Sequence, residues 1–156
     1  MSALPRLDVI RRIAATSAPD AVLLIRLAAG GIFLSEGAQK FLFPAELGVG
    51  RFTQIGIPAP EVMAPFVGVV EIGCGLLLLV GLLTRLAAVP LLIDMVVAIG
   101  TTKVPILLKS GIWKMAHEAR TDYAMLLGCL FLAVVGAGGY SLDARIAPPR
   151  ARARNG

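Results

Sequence analysis

Charge and metal-binding chemistry are scarce in these 156 residues: 16% are charged, one is histidine, two are cysteine and 6% are aromatic. Soluble domains carry roughly 25% charged and about 45–50% apolar residues. Here 57% of the chain is hydrophobic and the mean hydropathy is +0.82. A single histidine outside the apolar runs cannot give two axial ligands to a buried haem. Cys74 and Cys129 form no C-x-x-C, and one histidine cannot complete a zinc set with them. No flavin motif is visible either, so no cofactor is evident from motifs. The formal charge of +5 raises nucleic acid as a partner. The basic residues, however, gather at the termini and beside apolar runs, without the basic and aromatic interleaving of a nucleic-acid surface. Nucleic acid is not expected.

What the chain does have is long apolar runs. A water-facing globule of this length cannot hide them, so lipid must cover much of the surface. The pattern predicts an all-α integral membrane four-helix bundle, with spans at about 21–43, 62–83, 86–108 and 122–138. Residues 1–20 form a basic arm. Arg6, Arg11 and Arg12 precede an apolar run, as in a signal peptide, but the run is too long and no small-residue cleavage site follows. Ser17 and Asp20 resemble a capping box, with Pro19 in the first turn. Pro44 stops the first span. Gly48, Gly50, Gly56, Pro58 and Pro60 mark a loop over 45–61, Pro90 and Pro105 predict kinks near both ends of the third span, and a second polar loop covers 109–121. The glycines at 136–139 end the last helix. The membrane domain is expected over 21–143, and 144–156 reads as a basic disordered tail.

Orientation follows from the arginines and lysines. One side would carry Arg6, Arg11, Arg12, Arg85, Arg145, Arg150, Arg152 and Arg154. The other would carry Arg51, Lys109, Lys114 and Arg120. The positive-inside rule then places both termini in the cytoplasm.

Ionisable groups within apolar spans are costly and point to function by default. They are Arg26, Glu36 and Lys40 in the first span, Glu71 in the second, and Asp94 and Lys103 in the third. At ~100° per residue, Arg26, Gly30, Phe33, Gly37 and Lys40 share a face, with Glu36 at its edge. Glu36 and Lys40 are spaced to pair along the helix. Depth counting suggests two layers: Glu36–Lys40–Glu71 toward the outer side and Arg26–Asp94 toward the inner one. Such groups serve either as structural ion pairs or as ligand and proton sites. Arg26 and Lys103, near span ends, have the further option of snorkelling to the interface. Cys74 and Cys129 read as small packing residues, and His117 as a solvated loop residue. Asp122 and Tyr123 cap and anchor the fourth helix, Tyr123 with Trp113 at the interface, or sit at the mouth of a cavity.

Three segments carry a resemblance: LLIRLAAGGIFLSEGAQKFLF, IGIPAPEVMAPFVGVVEIGCGLLLLVGLLTRLAA and GAGGYSLDARI, together covering about 23–146. In this order they resemble the DoxX family of small bacterial membrane proteins. The matched motif positions are Arg26, Gly37, Lys40, Glu71 and Asp143. Many relatives carry a histidine before the glycine of the first segment, where this chain has Glu36, so a role held by that histidine does not pass to Glu36 by resemblance. The resemblance implies a multi-pass protein of the bacterial plasma (inner) membrane, linked to quinone-reducing or thiol-redox assemblies. The leading expectation is an accessory subunit, not a stand-alone catalyst, holding a quinone-like or other lipophilic ligand. Candidate contacts and proton relays are Arg26, Glu36, Lys40, Glu71, Asp94 and Tyr123. A membrane redox protein would be the partner. A permease acting as a homo-oligomer and a ligand-free scaffold are the rivals. In each case the recombinant chain sediments with membranes and needs detergent for extraction. A folded, monodisperse preparation in plain buffer would overturn this.

Overall fold

The structure, a computed structural model, describes residues 14–16 and 18–147. Ser17, the basic arm before residue 14 and the tail after 147 lie outside the described residues, so the expected capping box and disordered tail are not addressed. The described chain is helical throughout, without strands. Its helices are α1 (Val22–Leu42), α2 (Val49–Gln54), α3 (Pro60–Val80), α4 (Thr84–Ala98), α5 (Val104–Ser110), α6 (Ile112–Glu118), α7 (Arg120–Val135) and α8 (Leu142–Ile146). A π-helical turn, Ile99–Lys103, joins α4 to α5. Among the described residues, three helices are long and apolar enough to cross a membrane: α1, α3 and the continuous Thr84–Ser110.

α1 packs along α3 and α4 along α7, while α3–α4 and α1–α7 contacts close the ring. Phe33, Leu78, Leu91, Cys129 and Leu132 meet at its centre, and Cys74 packs against this core. Both cysteines are free thiols. The outer faces carry large apolar side chains such as Leu24 (69% exposed), Phe66 (59%) and Val134 (69%). Apolar groups outside with polar groups inside is the arrangement that acyl chains, not water, stabilise. Close approach of α1 and α3 depends on glycine. A Cβ on Gly37 would stand 2.7 Å from the Gly68 carbonyl, and one on Gly30 2.8 Å from that of Gly75.

The α3–α4 connection is very short. Gly81 adopts left-handed φ +67, its N–H bonds to the Leu78 carbonyl, and the Leu82 N–H bonds to that of Leu77. This paired pattern closes the helix end, and it favours glycine because a side chain there is strained. Leu83 is also left-handed (φ 49). It is held by Asp143, whose Oδ1 accepts from the Leu83 N–H at 2.7 Å and whose Oδ2 accepts from the Thr84 N–H at 2.9 Å. Asp143 thus caps α4 from a distant part of the chain.

Arg26 performs the matching task for carbonyls. Its Nε donates to Leu78 O (2.8 Å), Nη2 to Leu79 O (2.7 Å), and Nη1 to Ala137 O (3.1 Å) and Tyr140 O (2.6 Å). The first two are carbonyls of the last turn of α3, where that of Leu78 also accepts from the Gly81 N–H. The others belong to the irregular stretch after α7, which at 16 residues spans only ~24 Å. Non-helical backbone at membrane depth persists only where protein satisfies it. Arg26 is therefore 1% exposed, and it does not snorkel.

The loops hold more helix than breaker residues suggested, namely α2 and α6. Pro90 sits within α4 without ending it. At Pro105 the distortion takes the form of the π turn just before it. There Thr101 and Thr102 hydroxyls donate to the Val97 and Ala98 carbonyls, at 2.8 and 2.6 Å, taking up backbone groups that the wider turn frees.

Removing the Asp143 carboxylate strands two N–H groups at the α3–α4 turn. Asp143→Ala should lose at least about 2 kcal/mol of stability in detergent unfolding, with Asp143→Asn recovering part of it. A change within about 0.5 kcal/mol for Asp143→Ala would show that the cap is dispensable.

Candidate functional site

The end of the bundle opposite Arg26 is hollow. A cavity of about 500 Å³ lies between α1, α3, α4 and α7, with α2 and the residues after it at its mouth. Phe33, Met95 and Met125 form its apolar floor and walls. Glu36, Lys40, Glu71, Asp94, Thr101, Thr102 and Asp122 bring polar groups to it, and Glu46 and Arg51 reach it from the loop side.

The central contact is an ion pair between Lys40 Nζ and Glu71 Oε2 at 2.5 Å, the two side chains 11% and 3% exposed. Helical geometry explains it. Side chains lean toward the N-terminus of their own helix, and α1 and α3 are antiparallel. Lys40 thus leans toward the bundle centre, while Glu71 leans outward to meet it. The expected pairing of Glu36 with Lys40 along α1 does not form; Glu36 is exposed at the cavity mouth. The buried carboxylate takes the cation because it has no water to solvate it.

Asp94 completes the group from α4. Its carboxyl lies within hydrogen-bonding reach of that of Glu71, with Lys40 and Glu36 nearby. The expected layer of Arg26 with Asp94 is replaced by this contact. Counted from the α3–α4 turn, Glu71 and Asp94 stand about 14 and 15 Å along their helices, which is one level. Arg26 lies at the last turn of α3, roughly 10 Å further toward the closed end. Two carboxyls facing each other at mid-bundle can share a proton or accept two donors. Among the described residues no set of three or more His, Cys, Asp or Glu side chains is placed to hold a metal ion.

Of the six candidates, Glu36, Lys40, Glu71 and Asp94 come together. Arg26 belongs to the clamp, and Tyr123 is exposed (59%) outside the cavity lining. Its neighbour Asp122 does line the cavity, paired with Lys103 at 3.2 Å, so Lys103 is tied to α7. His117 lies exposed on α6, its ring against the Arg120 guanidinium. Sequence reasoning missed Thr102 of the π turn, Met125, and the contribution of Arg51, Phe52 and Ile55 after the first span. The first two have no signature beyond apolar periodicity. The loop residues acquire a role only when the chain folds back.

A helical bundle with a lipid-facing apolar exterior and an inward polar cavity defines a multi-pass membrane protein. The chain belongs to the DoxX family, whose model matches residues 21–104. It is similar to "Uncharacterized membrane protein Rv3486" of Mycobacterium tuberculosis, 57% identical over 134 residues, covering 82% of each chain. It is also similar to "Putative oxidoreductase CatD" of Bacillus subtilis, 33% identical over 121 residues, covering 78% of this chain and 83% of that one. No solved structure matches it.

The ion pair predicts an asymmetric response to mutation. Lys40→Met leaves Glu71 buried without its cation and should cost about 3 kcal/mol. The double variant Lys40→Met/Glu71→Met should recover most of that loss in detergent unfolding. Additive losses in the double variant would show that the two groups act separately.

Proposed function

We propose that the protein is an accessory subunit of a redox-associated membrane assembly and holds a quinone-like lipophilic molecule in the cavity beside Lys40, Glu71 and Asp94. The observation that carries this reading is the character of the cavity: about 500 Å³, walled by apolar side chains, with a few polar groups converging at one level. Small-molecule sites have this build, and a ring-sized headgroup fits the volume. The mouth lies at the Lys40 end, among loop residues, which suits a ligand arriving from the membrane interface. A relative named as an oxidoreductase adds weight. Electron transfer would be supplied by the ligand and by a partner redox protein, with this chain positioning the headgroup.

In this reading all four long helices cross the bilayer, both termini face the cytoplasm, and the cavity opens toward the other side. The Arg26 clamp bears on the permease alternative. A transport route needs access from both ends, and here one end is filled by a guanidinium bonded to four carbonyls.

Native mass spectrometry of the detergent-extracted protein should show one retained lipophilic molecule per site, and solvent extraction should identify it as quinone-like. Glu71→Gln should reach the membrane in normal amount and lose that molecule. Wild-type protein with no retained molecule, and no uptake of added quinone, would remove the ligand from the proposal. A Glu71→Gln variant that fails to accumulate would mark the carboxylate as a structural partner of Lys40.

A further inference from the structure

We propose that a second hollow, at the sealed end of the bundle, binds one anionic phospholipid, with the phosphate on Arg145 and Tyr140 and an acyl chain along α3. This site is separate from the cavity beside Lys40 and does not rest on the ligand reading above.

The hollow measures about 280 Å³ and is lined by Val80 at the end of α3 and by Gly139, Tyr140, Ser141, Leu142 and Arg145. Its level suits a lipid headgroup. α3 has 21 residues and is about 31 Å long, close to the ~30 Å of the hydrocarbon layer, so Val80 stands at the boundary where phosphates begin. On one side the hollow meets lipid, because Val80 and Leu142 are exposed apolar side chains. From Val80 the exposed stripe of α3 continues through Leu76, Val69 and Phe66 at helical spacing. Gly73 lies in that stripe, and a Cβ there would meet nothing within 4 Å. Its missing side chain leaves a shallow bed for an acyl chain.

Charge names the headgroup. The arm joins α1 and the tail leaves α8 at this end, where α4 also begins. Arg6, Arg11, Arg12, Arg85, Arg145, Arg150, Arg152 and Arg154 therefore belong to it by sequence, against Asp8, Asp20 and Asp143. Asp143 is spent on the Leu83 and Thr84 N–H groups. Arg26 is turned onto four carbonyls, and Arg85 onto those of Val134 and Val135. Arg145 is exposed on α8 and takes part in neither ion pair among the described residues. Its guanidinium offers a planar fork to an outside oxyanion, and a phosphate matches that fork with two oxygens. Ser141 does not compete for the phosphate, since its hydroxyl donates to the Gly138 carbonyl and accepts from the Ala144 N–H. Tyr140, exposed at the rim, is a residue type that settles at headgroup level, ring toward the chains and hydroxyl toward water. A zwitterionic headgroup brings the same phosphate with a cation that the surrounding arginines repel, so the lipid's net charge decides. A soluble phosphate would leave the apolar half of the hollow empty.

The test uses the full chain in detergent with phosphatidylglycerol or phosphatidylcholine of identical acyl chains. Native mass spectrometry should show one phosphatidylglycerol retained per chain, bound about fivefold or more tightly than phosphatidylcholine, the scale of one arginine at an anionic surface. The Tyr140 carbonyl is one of the four on Arg26, so the bound lipid should also raise the melting temperature, by about 2 °C or more at saturation. Arg145→Gln, at an exposed position, should keep the fold and lose both the lipid preference and the thermal shift. Arg145→Lys, which keeps the charge without the fork, should retain part of each. Replacing Arg150, Arg152 and Arg154 together by glutamine should leave both in place. Loss of the preference with that tail variant and not with Arg145→Gln would overturn the site in favour of diffuse attraction by the tail. Equal retention of the two lipids would overturn it as well. So would displacement of phosphatidylglycerol by millimolar inorganic phosphate, which would mark a site for a soluble anion.

Discussion

Four carbonyl oxygens bonded to one guanidinium set the conditions for everything else in this bundle. A backbone in hydrocarbon must have its polar groups satisfied within the protein, and the chain breaks that rule at two adjacent places. α3 ends abruptly at Gly81, and the chain after α7 runs irregularly from Gly136 to Ser141. Arg26 supplies N–H donors to both, and Asp143 supplies acceptors to the N–H groups that open α4. Arginine suits the place because its donors are spread over a fixed plane and stay charged. The full positive charge is tolerated because Asp143 lies close and four oxygens surround it.

Closing one end firmly lets the other end stay open. Between α1, α3, α4 and α7 on the Lys40 side lies a cavity where a continuous apolar core would otherwise be. Its central group, Lys40, Glu71 and Asp94, arises from three helices and meets because α1 and α4 run antiparallel to α3. The π turn belongs to the same economy. Two threonine hydroxyls turn inward onto helix carbonyls, and this shapes both the wall of the cavity and its hydrogen-bonding character. Structure and chemistry share residues at this end, so the Lys40–Glu71 pair is at once a helix contact and the centre of the site.

Much of this was legible in the chain. Apolar runs of the right length announced the membrane and the three long helices that could cross it, and the charged residues inside them picked out four of the groups that line the cavity. Misreadings came from treating depth and pairing as one-dimensional. Arg26 near a span end read as a snorkelling side chain, because nothing in a linear pattern tells that the carbonyls of α3 and of the Gly136–Gly139 stretch will arrive around it. Glu36 and Lys40 read as a local pair, because i to i+4 spacing is visible and a carboxylate on another helix is not. Glu71 and Asp94 are the instructive case. Counting from the short turn between them places both at one depth, and the signal was present in the sequence once the turn was taken as the origin.

Composition and periodicity alone determined that this protein lives among lipid tails, as a bundle of helices with its charges directed inward, because the cost of exposing ionised groups to hydrocarbon leaves no other arrangement. Which charges meet, and which end is sealed and which is hollow, were decided only by tertiary structure. Those properties depend on the angle and offset between helices, and a few ångströms of axial shift would exchange one partner for another.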